Sequence, residues 1–241
     1  MPDVNVKDGG AWKTAKEIFV KDSGIWKTVK GIWVKDGGSW KQAFPASSGT
    51  QNYTTPGTYS FTVPNGIYTL TASVIGGGGG GGGAYSSGDW WTGGGGGSGG
   101  YINAQTYAVT PGETLTITVG SGGQWGSQYF NSWYDVNPNN AYNANALAGG
   151  NSSIARGITA IATATGGSGG LRGDGNCGGN AAGGSPNGVQ GQQRGGLCYG
   201  YGYSGTQYGG DNGSGYGKGG NTQRNAGNAK KGQDGAILLS W

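Results

Sequence analysis

Aromatic side chains are the part of this sequence best equipped for chemistry, and that chemistry is recognition. The 241 residues carry nine Trp, fourteen Tyr and four Phe. Beyond residue 80 many of them gather in clusters. Trp90 and Trp91 stand in AYSSGDWWT. Trp125, Tyr129, Phe130, Trp133 and Tyr134 share the long stretch Gln124–Ala148, and Tyr199, Tyr201, Tyr203 and Tyr208 share YGYGYSGTQY. Tyr216 marks a further segment, Gly213–Asn221. Ser, Gly and Asn surround these rings. Antibody paratopes use the same vocabulary: rigid amphipathic rings give contact area at small entropic cost, and short polar residues adapt. We read the clusters as recognition loops collected at one end of the molecule. A plainer role, covering a core that has no side chains of its own, suits Tyr107, Tyr142 and Tyr216 better.

Bond-making chemistry has little to work with. The chain contains no His, which removes Ser-His-Asp triads, His-assisted thiol catalysis and most zinc sites. Asp89 and Asp135 lie in aromatic segments and could suggest a glycosidase pair, but acids in polar loops are more often turn formers or carbohydrate contacts. GYGKGG at 215–220 resembles a phosphate-binding loop but lacks the hydroxyl residue after Lys218. Among this many glycines, G-x-G-x-x-G matches carry no information. Cys177 and Cys198 could pair, yet two cysteines are no disulfide framework. The expectation is a protein that is not an enzyme and holds no cofactor or metal.

A second aromatic set belongs to a 14-residue repeat. Val6–Phe19 reads VKDGGAWKTAKEIF, Val20–Trp33 reads VKDSGIWKTVKGIW, and Val34–Phe44 reads VKDGGSWKQAF. Asp followed by Gly-Gly or Ser-Gly between β-forming residues signals a tight hairpin, since these types tolerate positive φ. Asp8, Asp22 and Asp36 should mark the turns. Trp12, Trp26 and Trp40 follow at equivalent positions, and Phe19 and Trp33 end their units, as Phe44 ends the third. Fourteen residues cannot bury a core. Either the repeats close into a miniature β-prism on their own rings, or the rings anchor a partner. Three equivalent units suit a pseudo-threefold arrangement that caps a homotrimer, with the lysines as a polar rim.

Glycine must position the loops. Of 60 glycines, 51 fall after residue 75, beginning with eight in succession at Gly76–Gly83. Only seven prolines and no strict Gly-X-Y period argue against collagen. Aromatic clusters and β-type segments argue against a disordered linker. Glycine strands in the polyproline-II conformation have three residues per turn and leave every N–H and C=O free to bond sideways, so several can pack together. An eight-residue run would span roughly 25 Å. The predicted fold is mainly β with a sandwich of polyglycine-II strands and no substantial helix.

A β platform should hold the strand ends. Thr58–Val63 alternates Tyr59, Phe61 and Val63; after Pro64-Asn65-Gly66, Ile67–Ile75 sets Tyr68, Leu70, Ala72 and Val74 on one side. Tyr101–Thr110 and Glu113–Val119 flank Pro111-Gly112, Ile158–Thr165 is a third strand region, and Ala236–Trp241 a last strand. Three of these segments run straight into glycine, at Ile75, Val119 and Thr165. The predicted organisation is three hairpin repeats at 1–44, a polar hinge at 45–52, and a glycine-rich receptor-binding domain at 53–241.

Charge is concentrated at the front. Residues 1–44 hold eight Lys and five acids, whereas the other 197 residues hold seven basic and six acidic groups. A nearly neutral body has no polyelectrolyte footprint, which makes nucleic acid a poor partner. No apolar stretch approaches the length of a membrane span, and no basic-then-apolar leader opens the sequence. The expectation is synthesis in a cytoplasm and no insertion into a membrane.

The VKDGG-x-WK repeats, the transition SVIGGGGGGGG, the alternation of glycine motifs with aromatic segments and the final strand ending at Trp241 together resemble the adhesins at the tip of the long tail fibre of T-even-type bacteriophages. The resemblance covers essentially the whole chain. It implies a virion protein at the distal tip of the fibre, one copy docked on the trimeric fibre shaft. Trp12, Phe19, Trp26, Trp33, Trp40 and Phe44 would then be fibre-binding. The loops around Trp90-Trp91, Trp125–Tyr134 and Tyr199–Tyr208 would bind an outer-membrane protein of a Gram-negative host, with lipopolysaccharide the other candidate. Two rival readings differ in class. An ice-binding or matrix protein would want regular Gly-X-X repeats and a flat face of small residues. A fibre-assembly chaperone would need the repeats but not the aromatic loops.

Overall fold

Alternating apolar residues build two four-stranded antiparallel sheets that face each other. In the computed structural model, which describes residues 5–8, 10–14, 18–29, 31–44, 48–64, 66–83, 85–86, 93–126, 128–130, 133–135, 145–172, 181–194, 206–211, 214–223 and 229–241, no helix is present among the described residues. One sheet runs Tyr101–Ala108, Thr69–Ile75, Ala236–Ser240, Thr50–Tyr53. The other runs Thr159–Ala164, Ser152–Arg156, Thr114–Val119, Gly57–Thr62. Leu70, Ala72, Val74, Ile237 and Leu239 of the first meet Phe61, Leu115, Ile117, Val119, Ile154 and Ala164 of the second in one buried cluster. The alternation predicted for Phe61 and Val63, for Leu70, Ala72 and Val74, and for Leu115, Ile117 and Val119 is thus the core pattern.

Four details depart from the sequence reading. Tyr68 does not join Leu70, Ala72 and Val74; it precedes the strand and is 58% exposed. Ile158 is not in a strand but at the tip of a hairpin turn, fully exposed, with Gly157 at φ 58° beside it. That turn joins Thr159–Ala164 to Ser152–Arg156, a strand the sequence reading did not mark. The end of the predicted hinge at 45–52 is itself part of the platform, because Thr50–Tyr53 pairs with the C-terminal strand. Gly49 and Trp241 exchange both backbone hydrogen bonds at 3.0 Å, and the Trp241 ring lies 5.2 Å from Phe61.

Glycine strands extend from the platform as polyproline-II-type rods whose partners change with a period of three. In 76–83, the amides of Gly76, Gly79 and Gly82 donate to Gly100, Gly97 and Gly94; Gly77 and Gly80 donate to Gly150 and Leu147; Gly78 and Gly81 donate to Gln233 and Lys230. Its carbonyls accept from three other strands: Gly167 and Gly170, Gly123 and Gly126, and Gly220. The strand therefore has 93–100, 145–150 and 229–235 antiparallel to it, and 120–126, 165–172 and 217–221 parallel. Three residues per turn aims successive amides at three directions, which is why hexagonal packing satisfies them all. Strand 93–100 is surrounded in the same way, by 76–83, 165–172, 217–221, 181–184, 188–191 with its preceding turn, and 209–211.

Position in this lattice explains composition. The two enclosed strands are glycine throughout except Ser98, whose hydroxyl accepts the Val189 amide at 2.8 Å and donates to the Gly99 carbonyl. Perimeter strands keep glycine only where they face inward. In 229–235, Gly232 and Gly235 are buried while Lys230, Lys231 and Gln233 are exposed. Side-chain oxygens complete the lattice at its margin: Asp234 accepts from Gly122, Asn151 from Gly166, and Asn221 from Gly209.

The repeats form three separate two-stranded hairpins: Asn5–Asp8 with Ala11–Thr14, Phe19–Asp22 with Ile25–Thr28, and Ile32–Asp36 with Ser39–Phe44. Asp8, Asp22 and Asp36 stand at the last pair before each turn, as expected. Ser23 and Gly24 have φ 51° and 82°, Gly37 and Gly38 58° and 87°, which is the two-residue turn that matches strand twist.

Candidate functional site

Strand direction decides where the loops emerge. Strands 76–83, 120–126, 165–172, 188–191 and 217–221 leave the platform, and 93–100, 145–150, 181–184, 209–211 and 229–235 return towards it. Chain must cross between each outgoing strand and the next returning one at the far end. The five far-end connections accordingly lie between 83 and 93, 126 and 145, 172 and 181, 191 and 209, and 221 and 229. Residues 214–221 are a turn nearest the platform followed by an outgoing strand, and Tyr216 there is half-buried, in keeping with the covering role read for it from sequence.

Two small sheets belong to these connections. Tyr85–Ser86, Gln128–Phe130 and Trp133–Asp135 pair in register, bringing Tyr85 beside Tyr129, Tyr129 opposite Tyr134 and Phe130 opposite Trp133. This joins two of the predicted loops into one unit rich in rings. Gln192–Arg194, Thr206–Tyr208 and Thr222–Gln223 form the second sheet, with Tyr208 opposite Gln192. That sheet is dominated by Gln and Thr. Strands of two or three residues leave no periodic signal, so sequence reasoning did not set it apart. Trp125 is half-buried at the end of its glycine strand. Trp90, Trp91, Tyr199, Tyr201 and Tyr203 lie outside the described residues, as do Cys177 and Cys198.

In the hairpins the register is repeated three times: Lys7 opposes Trp12, Lys21 opposes Trp26, and Lys35 opposes Trp40. Trp26, Trp33 and Trp40 are 66%, 53% and 68% exposed, and Phe19 is 47% exposed. These rings do not close on one another as a small prism would require. Phe19 and Trp26 line an open apolar groove of about 420 Å³, and the Lys21 ammonium sits 5.7 Å from the centre of the Trp26 ring. Trp12 and Phe44 occupy Ala11–Thr14 and Ser39–Phe44.

Charged groups of the body serve as ties. Arg156 donates to both Glu113 oxygens, at 2.7 and 3.0 Å, and to the Ala108 carbonyl, closing the platform turns. The Arg156 hydrogen bond holds the Glu113 carboxyl below its ordinary range, against partial burial. For Asp234 burial acts upward, but the Gly122 amide and Lys231 together outweigh it and keep the carboxyl low. A depressed carboxylate contributes stability above its unfolded pKa of about 4, and loses it as pH falls through the folded value. Thermal midpoint should therefore fall on acidification below about pH 4. Glu113→Gln and Asp234→Asn should each be less stable at pH 7 and flatten that fall; an unchanged slope in both would refute the assignment.

No helix among the described residues is long and apolar enough to cross a membrane. No curated protein matches the sequence. Residues 54–238, which take in most of the platform and every described glycine strand but not the edge strand Thr50–Tyr53, match the glycine-rich domain family. With so much of its length matched, the chain belongs to the glycine-rich domain family.

Proposed function

We propose that this protein is a receptor-binding adhesin at the tip of a phage long tail fibre. The hairpin repeats, arranged about a pseudo-threefold axis, dock on the trimeric shaft, and the far-end loops bind an outer-membrane protein of the host. The observation that carries this reading is polarity. Five described strands run out to one end of the glycine lattice and five return from it, and the chain enters the platform at the other end, at Thr50, after the three Trp-bearing hairpins. A lattice held by backbone amides leaves loop sequence free of structural duty, which suits a surface specialised for recognition.

The repeats and the loops have separable roles. Purified protein should coat susceptible cells and block infection. Trp90→Ala with Trp91→Ala should weaken cell binding by at least tenfold, since truncating a buried aromatic anchor costs about 2 kcal/mol, while thermal stability stays unchanged. Removing residues 1–44 should abolish fibre attachment and leave cell binding intact. Unchanged cell binding in every single knockout of an outer-membrane protein would overturn the protein-receptor reading and favour lipopolysaccharide.

A further inference from the structure

The outer face of the first platform sheet carries a pocket of about 180 Å³, lined by Thr50, Asn52, Thr71, Ser73, Leu238 and Ser240, with Ala104 at its edge. Register explains its chemistry. Thr71, Ser240 and Thr50 form one cross-sheet row, and Ser73, Leu238 and Asn52 the next. Hydroxyls and one amide thus surround a half-buried Leu238, and no charged group takes part among the described residues.

One wall is built at a conformational cost. Between Ile102 and Gln105 the edge strand bulges, setting Asn103 and Ala104 against Ser73 alone. Ala104 has φ 42°, a left-handed conformation uncommon for a residue with a Cβ, and its amide donates to the Ser73 hydroxyl at 2.9 Å. Bulges and strained backbone of this kind concentrate at binding sites, where they re-aim one part of a strand.

We propose that this pocket is a binding site for a single neutral sugar ring of a cell-surface glycan, distinct from the far-end loops. A pyranose has apolar C–H faces and a polar rim. Leu238 offers the apolar contact, and Thr50, Asn52, Thr71, Ser73 and Ser240 offer neutral donors and acceptors around it. A volume of 180 Å³ holds one ring but not a peptide segment. The uncharged lining favours a neutral sugar over phosphate or an acidic peptide. A site on the side of the platform would meet glycan chains standing around the tip, independently of what the loops hold.

The test is saturation-transfer NMR on the full chain with glucose, galactose and N-acetylglucosamine as separate probes. At least one should show transfer to its ring C–H protons. Thr71→Trp, which fills the pocket, should reduce that signal at least tenfold, and Asn52→Ala should reduce it severalfold, both with unchanged thermal midpoint. Trp90→Ala with Trp91→Ala should leave it intact, separating this site from the proposed receptor loops. No transfer to any of the three sugars, or transfer unaffected by Thr71→Trp, would overturn the proposal. Should Thr71→Trp itself prove unstable, Asn52→Ala together with Ser240→Ala provides the same reading, and undiminished transfer in that variant would equally overturn it.

Discussion

Gly79→Ala should leave no cooperatively folded body. A Cβ at this position would land on the Ser168 carbonyl, with the Gly167 carbonyl close behind. Both are backbone atoms of a neighbouring strand, so no rotamer relieves the overlap. That neighbour cannot retreat, because the Ser168 oxygen already accepts the Gly97 amide and the Ser168 amide donates to Ala182. Moving it would break the lattice on two sides. The expected loss exceeds about 4 kcal/mol, beyond the usual range of single substitutions. Soluble yield and thermal melting followed by circular dichroism read the effect. Two comparisons define its cause. Gly112→Ala faces open space but sits at φ 81°, so strain alone should cost roughly 1 kcal/mol. Ala182→Leu projects from an exposed perimeter position and should change stability by less than about 0.5 kcal/mol. A Gly79→Ala protein that melts within a few degrees of the parent would show that the rods are not packed as described.

The second large effect concerns the hairpins. Trp26→Ala combined with Trp40→Ala should weaken docking to a purified trimeric fibre shaft roughly a thousandfold, at about 2 kcal/mol for each anchor ring. Both rings are more than half exposed, and both stand opposite a lysine in equivalent registers. Truncating them therefore removes almost no internal packing. Body stability and cell adsorption should stay unchanged, which distinguishes a lost interface from a lost fold. Shaft binding at parental strength in the double variant would refute the docking role and return the hairpins to some other purpose.

Several features were visible in the residues because they depend on neighbours in the chain. Leu115, Ile117 and Val119 alternate with Thr, and all three are buried. Asp-Ser-Gly and Asp-Gly-Gly set the hairpin turns, since turn conformation is a local matter. Thr50–Tyr53 was hidden for the opposite reason. Its sequence, TQNY, is polar, and only pairing with Ala236–Ser240 makes it a strand. Ser152–Arg156 likewise holds a single large apolar residue, Ile154, and draws its identity from strands on both sides. The place of residues 214–221 could not be read from sequence, because a ring among glycines looks alike at either end of a rod. Direction along the lattice, which no local pattern encodes, places it by the platform.

Composition carried the central idea: a run of eight glycines bordered by β-strands is suited to little else than rods bonded sideways through their amides. The same residues say nothing of which rod lies beside which, because glycines have no side chains to distinguish them. Neighbours are chosen by the platform strands that launch each rod, by the lengths of the connections and by the few non-glycine residues tolerated on the perimeter. Chemistry was therefore readable in the chain, while the direction of each glycine strand, and the pocket beneath a bulged strand, arose from long-range packing.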